Sequence, residues 1–400
     1  MMRRILFPLI TMMMIATAAM AQRVVISGHV LDEDGMPLAK ANILLLRPSQ
    51  ATPIAMVEVA ADGAYTFTTD EQGLAILQYI GVDHEPYAIG ILLEDSIRTT
   101  IDVRLQPQRY RETFDSVMTV GDFNNYSYEK AIALTRLEDG CYELELPSTA
   151  KTVSYQLIGI TAAGAVNAPL AQEYRFDGNG AYQSIAAVKN GKVKITFDPM
   201  LVNRTKKKAS ALFADERMGT ISRLYGDIIR RREAYQQALT ENRLAGKPLS
   251  EFKYNWSKDL NRITKQLAQE EDTLIKGMLL ISYLELGTLG ATRELRPAPA
   301  KWAFETIPPT SPLWSINPRL IMLAAERSQE PDSLHQGYIA QVIDRHSDPY
   351  VKAMLLYDGL TMAYSTRQED RAYALYERLT TEYSNSRFAA MARVQFAFGH

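Results

Sequence analysis

The side chains of this 400-residue sequence best suited to proton transfer, nucleophilic attack or metal binding are five histidines and one cysteine. The histidines are His29, His84, His335, His346 and His400. No two stand at the i, i+4 spacing that aims both imidazoles of a His-Glu-x-x-His helix at one metal. Cys141 is alone, which excludes an internal disulfide, a Cys-x-x-Cys redox pair and a cysteine-rich metal site. In an oxidising compartment such a thiol is either shielded, the expectation here, or free to pair between chains. The sequence has neither a Gly-x-Ser-x-Gly elbow nor a phosphate-cradling glycine loop. Asp32, Glu33 and Asp34 are contiguous, whereas calcium loops space their oxygen ligands; with Gly35 they read as a turn. His346 reads as a capping or packing residue. No nucleophile is matched to a base by spacing. No catalytic residue, metal or cofactor is therefore predicted, and the chain reads as a non-enzyme.

Composition fits ordinary globular domains, with 46% hydrophobic and 22% charged residues. The formal net charge of −2 argues against a general polyanion binder, and no nucleic-acid partner is expected. Arg3 and Arg4, the apolar run from Ile5 to Ala18 and the small-x-small site Ala19-Met-Ala21 read as a cleaved signal peptide over 1–21. The mature chain would start at Gln22, with no lipobox cysteine after the cleavage site. It is expected to be periplasmic or otherwise extracytoplasmic. No later segment reads as long and apolar enough to cross a bilayer.

Residues 22–105 alternate short strands with turn signals, as a β-sandwich does. Ser27-Gly-His-Val-Leu-Asp-Glu-Asp-Gly-Met-Pro-Leu-Ala-Lys-Ala-Asn-Ile-Leu44, followed by Asp62-Gly-Ala-Tyr-Thr-Phe67, resembles the carboxypeptidase regulatory-like domain. That resemblance implies a prealbumin-like sandwich on an exported protein, accessory and not catalytic. Residues 106–112 are polar and read as a linker. Residues 113–202 form a second β unit. In it Tyr142, Leu144 and Leu146 share one face by the period of two, and Asn190-Gly191 marks a hairpin.

Val120-Gly-Asp-Phe-Asn-Asn-Tyr-Ser127, Leu134-Thr-Arg136, Glu143-Leu-Glu-Leu-Pro147 and Val153-Ser-Tyr-Gln-Leu157 resemble the glycogen- and starch-binding modules. The resemblance implies an Ig-like scaffold and a glucan surface at Asn124, Asn125, Tyr126 and Gln156. Tyr126 stands where those modules usually carry a sugar-stacking Trp, and Gln156 stands where they carry a Lys. Their second stacking Trp has no counterpart. Both a working glucan site and a scaffold retained without one stay open.

From Asn203 helix formers dominate. Residues 203–286 read as a helical region, with one long helix or two short ones over 205–243 and a second stretch from Ser250 to Leu286. Trp256 reads as an anchor between helices. Lys206 to Lys208 and Arg230 to Arg232 read as solvated helix faces, or as a surface for an acidic partner or lipid headgroups. Prolines make 287–318 a connector that breaks the helix, packed down by Trp302, Phe304 and Trp314. In 319–400, Val342–Met354 echoes Leu379–Met391 at an offset of 37 residues, a period of stacked helical pairs. That region resembles tetratricopeptide repeats. Without a polar cap at its end, a further domain or a partner is expected beyond it.

The expected architecture is multi-domain, β + α: two consecutive antiparallel β-sandwiches followed by an all-α, tetratricopeptide-like region. The order of modules resembles the N-terminal part of exported thioredoxin-like disulfide reductases of Bacteroidetes-type bacteria, without the thioredoxin domain. The expected function is non-catalytic binding or scaffolding of another protein through the helical region at the cell envelope. The alternatives are an accessory part of such a reductase and a glucan-binding accessory protein.

Overall fold

The computed structural model describes residues 23–48, 52–94 and 97–396. The predicted signal peptide, Gln22 and His400 lie outside the described residues. The chain is mixed β and α, with several sheets followed by a helical region.

The first unit holds β1 (Val24–Leu31), β2 (Ala41–Leu46), β3 (Ala55–Glu58), β4 (Ala64–Thr69), β5 (Gly73–Gly81), β6 (Tyr87–Leu93) and β7 (Arg98–Arg104). One of its four-stranded sheets has the order β3-β2-β5-β6. The other is closed by a strand from far along the chain, as described below. The two sheets share an apolar core that includes Ile26, Val30, Ile43, Leu77, Ile91 and Val103. Tyr65 and Tyr79 are buried there with their hydroxyls 2.9 Å apart, and the Tyr65 hydroxyl donates to the Ile101 carbonyl at 2.8 Å.

The second unit runs through β8 (Met118–Gly121), β9 (Ile132–Ala133), β10 (Thr135–Arg136), β11 (Tyr142–Pro147), β12 (Thr152–Ile158), β13 (Glu173–Phe176), β14 (Tyr182–Lys189) and β15 (Lys192–Phe197). These eight strands make one sheet, β10-β11-β15-β14-β12-β8-β9, with β13 on β14. Its end strands β9 and β10 are separated only by Leu134, so the sheet curls almost shut into a barrel-like form. Tyr142 pairs with Phe197 and Leu144 with Ile195, as the alternating pattern requires. The predicted hairpin stands at Asn190 (φ 53°) and Gly191 (φ 74°), both in the left-handed region that a tight two-residue turn demands.

The boundary expected at residue 203 is displaced. Residues 205–215 are not helical. Ser210–Phe213 forms β16, which pairs antiparallel with β7, so the first unit's other sheet reads β16-β7-β1-β4. Ala211 and Phe213 pack on the first unit's core. Helix α1 (Glu216–Leu244) starts only after Asp215, whose carboxylate accepts from the Met218 amide at 3.0 Å and caps it. The stretch from Ser250 is likewise split, into α2 (Ser257–Leu267) and α3 (Thr273–Leu286). Asp272 caps α3 through the Leu274 and Ile275 amides.

Helix α4 (Pro297–Thr306) occupies part of the expected connector. Pro297 and Pro299 sit in its first turn, where amides lack intrahelical acceptors and a proline removes nothing. The rest of 287–318 packs down: Trp314 is fully buried and donates to the Tyr338 hydroxyl at 2.9 Å. Beyond it lie α5 (Arg319–Ser328), α6 (Asp332–Arg345), α7 (Pro349–Ser365), α8 (Glu369–Glu382) and α9 (Arg387–Gln395). The two echoing segments span the α6–α7 and α8–α9 junctions, which are equivalent places.

The sheet β3-β2-β5-β6 is covered on both faces, one of them by the first unit's own core. On the other, Leu74 and Ile76 of β5 join the helical core, and Leu44 and Ile80 pack with Tyr182 of β14. Gly90 of β6 sits under the Tyr225 ring of α1, so close that a Cβ there would lie 2.4 Å from it. The unbroken apolar runs of β2 and β6 have this cause, since a strand buried on both faces loses its alternation.

The expectation of solvated basic runs fails at Arg230 to Arg232. Three consecutive helical residues span roughly 200° and cannot share one face. Arg230 is exposed, but Arg231 is buried against Asp259 (3.1 Å) and Ser282 (2.7 Å). Arg232 bonds the buried Glu285 at 2.7 Å. The expectation that no later segment could span a bilayer also needs correction. Thr273–Glu294, 22 residues with mean hydropathy 1.3, is long and apolar enough. It is 72% buried inside the chain, in the helical core.

Candidate functional site

The sugar-site residues suggested by the motif lie on the turn after β8 and on the neighbouring strand β12. Asp122–Asn124 is a single 3-10 turn after β8. The Asn124 side chain is spent within it, accepting from the Gly121 amide at 3.0 Å and donating to the Lys130 carbonyl at 2.8 Å. Asn125 (φ 54°) and Tyr126 (φ 55°) continue the turn in left-handed conformation. The Tyr126 hydroxyl points inward beside Ser154 and Arg175 without a hydrogen-bond partner among the described residues. Burial raises its pKa. Gln156 lies on β12, is buried, and donates to the Tyr182 carbonyl at 3.0 Å. Two of the four side chains, Asn124 and Gln156, therefore hold backbone, which is a structural role.

A larger concavity lies where the two β units meet. Three segments form it: the Val82–Pro86 loop after β5, the stretch 106–111, and the Thr161–Leu170 loop of the second unit. The stretch 106–111 is tied along its length. Gln106 accepts from the Glu85 amide at 3.1 Å, the Gln108 amide donates to the Asp83 carbonyl at 2.8 Å, and the Arg111 amide donates to the Ile160 carbonyl at 2.9 Å. Asp83 (φ 59°) accepts from the Asn167 side chain at 2.5 Å. Burial pushes the Asp83 carboxyl up to about 6, against the opposing pull of Asn167 and His84. Both ring nitrogens of His84 face acceptors in the junction, with Nε2 3.0 Å from the Glu33 carboxylate and Nδ1 2.6 Å from the Val82 carbonyl. Asn203 also bonds Glu33. Burial and the nearby Asp83 carboxylate raise the Tyr110 pKa, and its hydroxyl has no partner among the described residues.

Two openings flank this junction. One is a cleft of about 680 Å³ between the units, floored by Ala162, Ala163, Ala165, Gly180 and Ala181. The other is a groove of about 830 Å³ along the segment 203–209 that leads back to β16. They share Glu85, Pro86, Gln108 and Arg109. Arg109 makes a two-pronged pair with Glu85, both bonds at 2.8 Å. The sequence signal for this place was the run Val82-Asp-His-Glu85, dense in titratable groups directly after an apolar strand. Its partners 80 residues away could not be read from it.

The remaining chemistry-bearing side chains are structural. His346 caps α6: its Nδ1 accepts from the Asp348 amide and its Nε2 donates to the Ser311 carbonyl, both at 3.0 Å. That arrangement needs the neutral ring, and burial lowers its pKa. His335 meets the Ser328 hydroxyl at 2.8 Å. Cys141 is half-exposed, contrary to the shielding expected. Desolvation, Asp139 and Asp198 raise its pKa and keep it a thiol. Among the described residues no group of three His, Cys, Asp or Glu side chains could hold a metal ion.

No protein-family model and no curated protein matches the chain. Among solved structures it is similar to 3-chlorocatechol 1,2-dioxygenase from Rhodococcus opacus 1CP. The identity is 12% over 21% of this chain and 59% of that one, with a TM-score of 0.17. It is also similar to a streptococcal ancillary pilin, with 14% identity over 47% of this chain and 63% of that one and a TM-score of 0.21. The chain thus spans 59% and 63% of those two structures. Likeness at these scores carries no argument about activity.

Proposed function

We propose that the protein is an exported, non-catalytic binding and scaffolding protein. In this reading the two β modules hold a tetratricopeptide-like helical region that engages another protein at the cell envelope. The N-terminal resemblance to carboxypeptidase regulatory-like domains supports an accessory role outside the cytoplasm. The observation that carries the proposal is the distribution of apolar surface. One face of the sheet β3-β2-β5-β6 is buried in the first unit's own core and the other by the second unit and the helices, which makes a stiff mount. The far helices α7 and α9 leave Met362, Met391 and Val394 exposed, Val394 at 90%, while exposed apolar side chains such as Met200 and Leu170 also stand on the β units. A stiff mount with apolar residues left outside suits presentation of a surface to a partner.

Site-specific photo-crosslinking in cells tests it. A crosslinker at Val394 or Met391 is expected to give a discrete adduct with one envelope protein, and a crosslinker at Thr68 on the open sheet face is expected to give none. Identical adduct patterns from both faces, or no adduct from α9, would overturn the proposal.

A further inference from the structure

We propose that the trench at the junction of the two β units binds an acidic oligosaccharide, with sugar rings in the cleft beside Gln108 and an anionic group at Lys206 and Lys208. This is independent of the scaffolding reading.

Gln108 is the first ground. It is only 7% exposed, yet its side-chain amide makes no hydrogen bond to a described residue, while its backbone amide is held by Asp83. Its polar atoms are not among the enclosed unpaired ones, so the amide opens to solvent from the wall common to both openings. It can donate and accept together, as adjacent sugar hydroxyls require. The cleft volume of about 680 Å³ suits a small ligand. The small residues Ala162, Ala163, Ala165, Gly180 and Ala181 in its lining leave room for a sugar ring and offer apolar contact to its C–H face.

Charge is the second ground. Along the trench Arg109 is matched by Glu85, Arg204 by Glu112 and Lys207 by Asp34. Lys206 and Lys208 have no ion pair among the described residues, although both line the groove. Two uncompensated cations in a chain of net charge −2 mark a local preference for anions. The pairing within Arg109–Glu85 leaves the cleft itself neutral. The ligand these two halves fit is a sugar with a carboxylate or comparable anion beyond it.

Calorimetry on the mature full-length chain tests this with tri-galacturonate, neutral maltotriose and a tetraglutamate peptide. Tri-galacturonate is expected to bind best. The K206A/K208A variant, changed only at exposed positions, is expected to bind roughly 5- to 10-fold more weakly at low salt, and 0.5 M salt is expected to erase that difference. Q108L is expected to lose about 3- to 10-fold for tri-galacturonate at every salt concentration. Absence of tri-galacturonate binding at millimolar concentration would overturn the proposal. So would equal affinity for maltotriose, or equal affinity for the peptide with no effect of Q108L.

Discussion

Replacing Asp83 by Asn is expected to tighten the junction of the two β units at neutral pH and to do little at acid pH. The Asp83 carboxyl is pushed from 3.8 to about 6 by burial. At about 1.4 kcal/mol per unit, keeping it ionised above pH 6 costs the fold up to ~3 kcal/mol. Asparagine carries no charge and tolerates the left-handed backbone at φ 59°. Its side-chain oxygen can still accept from Asn167. The neutral bond is weaker than the one to a carboxylate, which returns roughly 1 kcal/mol of the gain. The net is about 1–2 kcal/mol of stabilisation at pH 7.5. Because the folded pKa is raised, the folded state binds more protons than the unfolded chain between about pH 4 and 6, and stability falls as pH rises through that window. The advantage of Asp83→Asn should therefore shrink toward zero near pH 4. Hydrogen exchange of the Gln108 amide, which donates to the Asp83 carbonyl, reports opening of this junction directly. Protection should rise about 5- to 30-fold at pH 7.5. Unchanged or reduced protection there, or the same gain at pH 4, would refute the reasoning.

Four further outcomes follow from the packing. Arg232→Met leaves the carboxylate of Glu285, only 3% exposed, without its cation, and urea denaturation should show a loss of about 3–5 kcal/mol. Gly90→Leu drives a side chain into the Tyr225 ring, and the helical region should lose about 1–3 kcal/mol, read as a lower urea midpoint by tryptophan fluorescence. The lowered pKa of His346 means its contribution is present above the unfolded value near 6.5 and lost as pH falls below it; His346→Gln should flatten that dependence in thermal melts from pH 5 to 7.5. Cys141, half-exposed but held as a thiol by Asp139 and Asp198, should react with maleimide in the native protein more slowly than free cysteine at pH 7.5, and Asp139→Asn should speed it.

What the sequence made legible was local. The alternation of Tyr142, Leu144 and Leu146, the Asn190-Gly191 turn and the anchoring role of Trp256, whose indole donates to the Leu289 carbonyl at 2.8 Å, all follow from short-range pattern. Partners distant in the chain were not legible. Ser210–Phe213 is too short for its period to be told from a helix start, and only pairing with β7 makes it a strand. Arg231 and Arg232 look like any charged helix surface until Asp259 and Glu285 are brought opposite them. The candidate site shows the same division. The Gly121–Tyr126 motif is visible, yet its Asn124 is consumed in holding its own turn. The trench depends on Gln108, a residue whose neighbours Pro107 and Arg109 give no hint of burial.

Strand β16 carries a consequence for the order in which this protein can assemble. The whole second β unit lies between β7 and the strand that completes β7's sheet. As the chain emerges, the edge of β7 stays bare until more than 100 further residues have been made. A chain cut at residue 202 would keep both β units nominally intact and still expose that edge, an invitation to pair with a neighbouring molecule. A chain ending after α1 would supply both the missing strand and the helix that seats on Gly90. The shortest stable fragment of this protein is therefore set by where the chain returns to its beginning, and not by where its second unit ends.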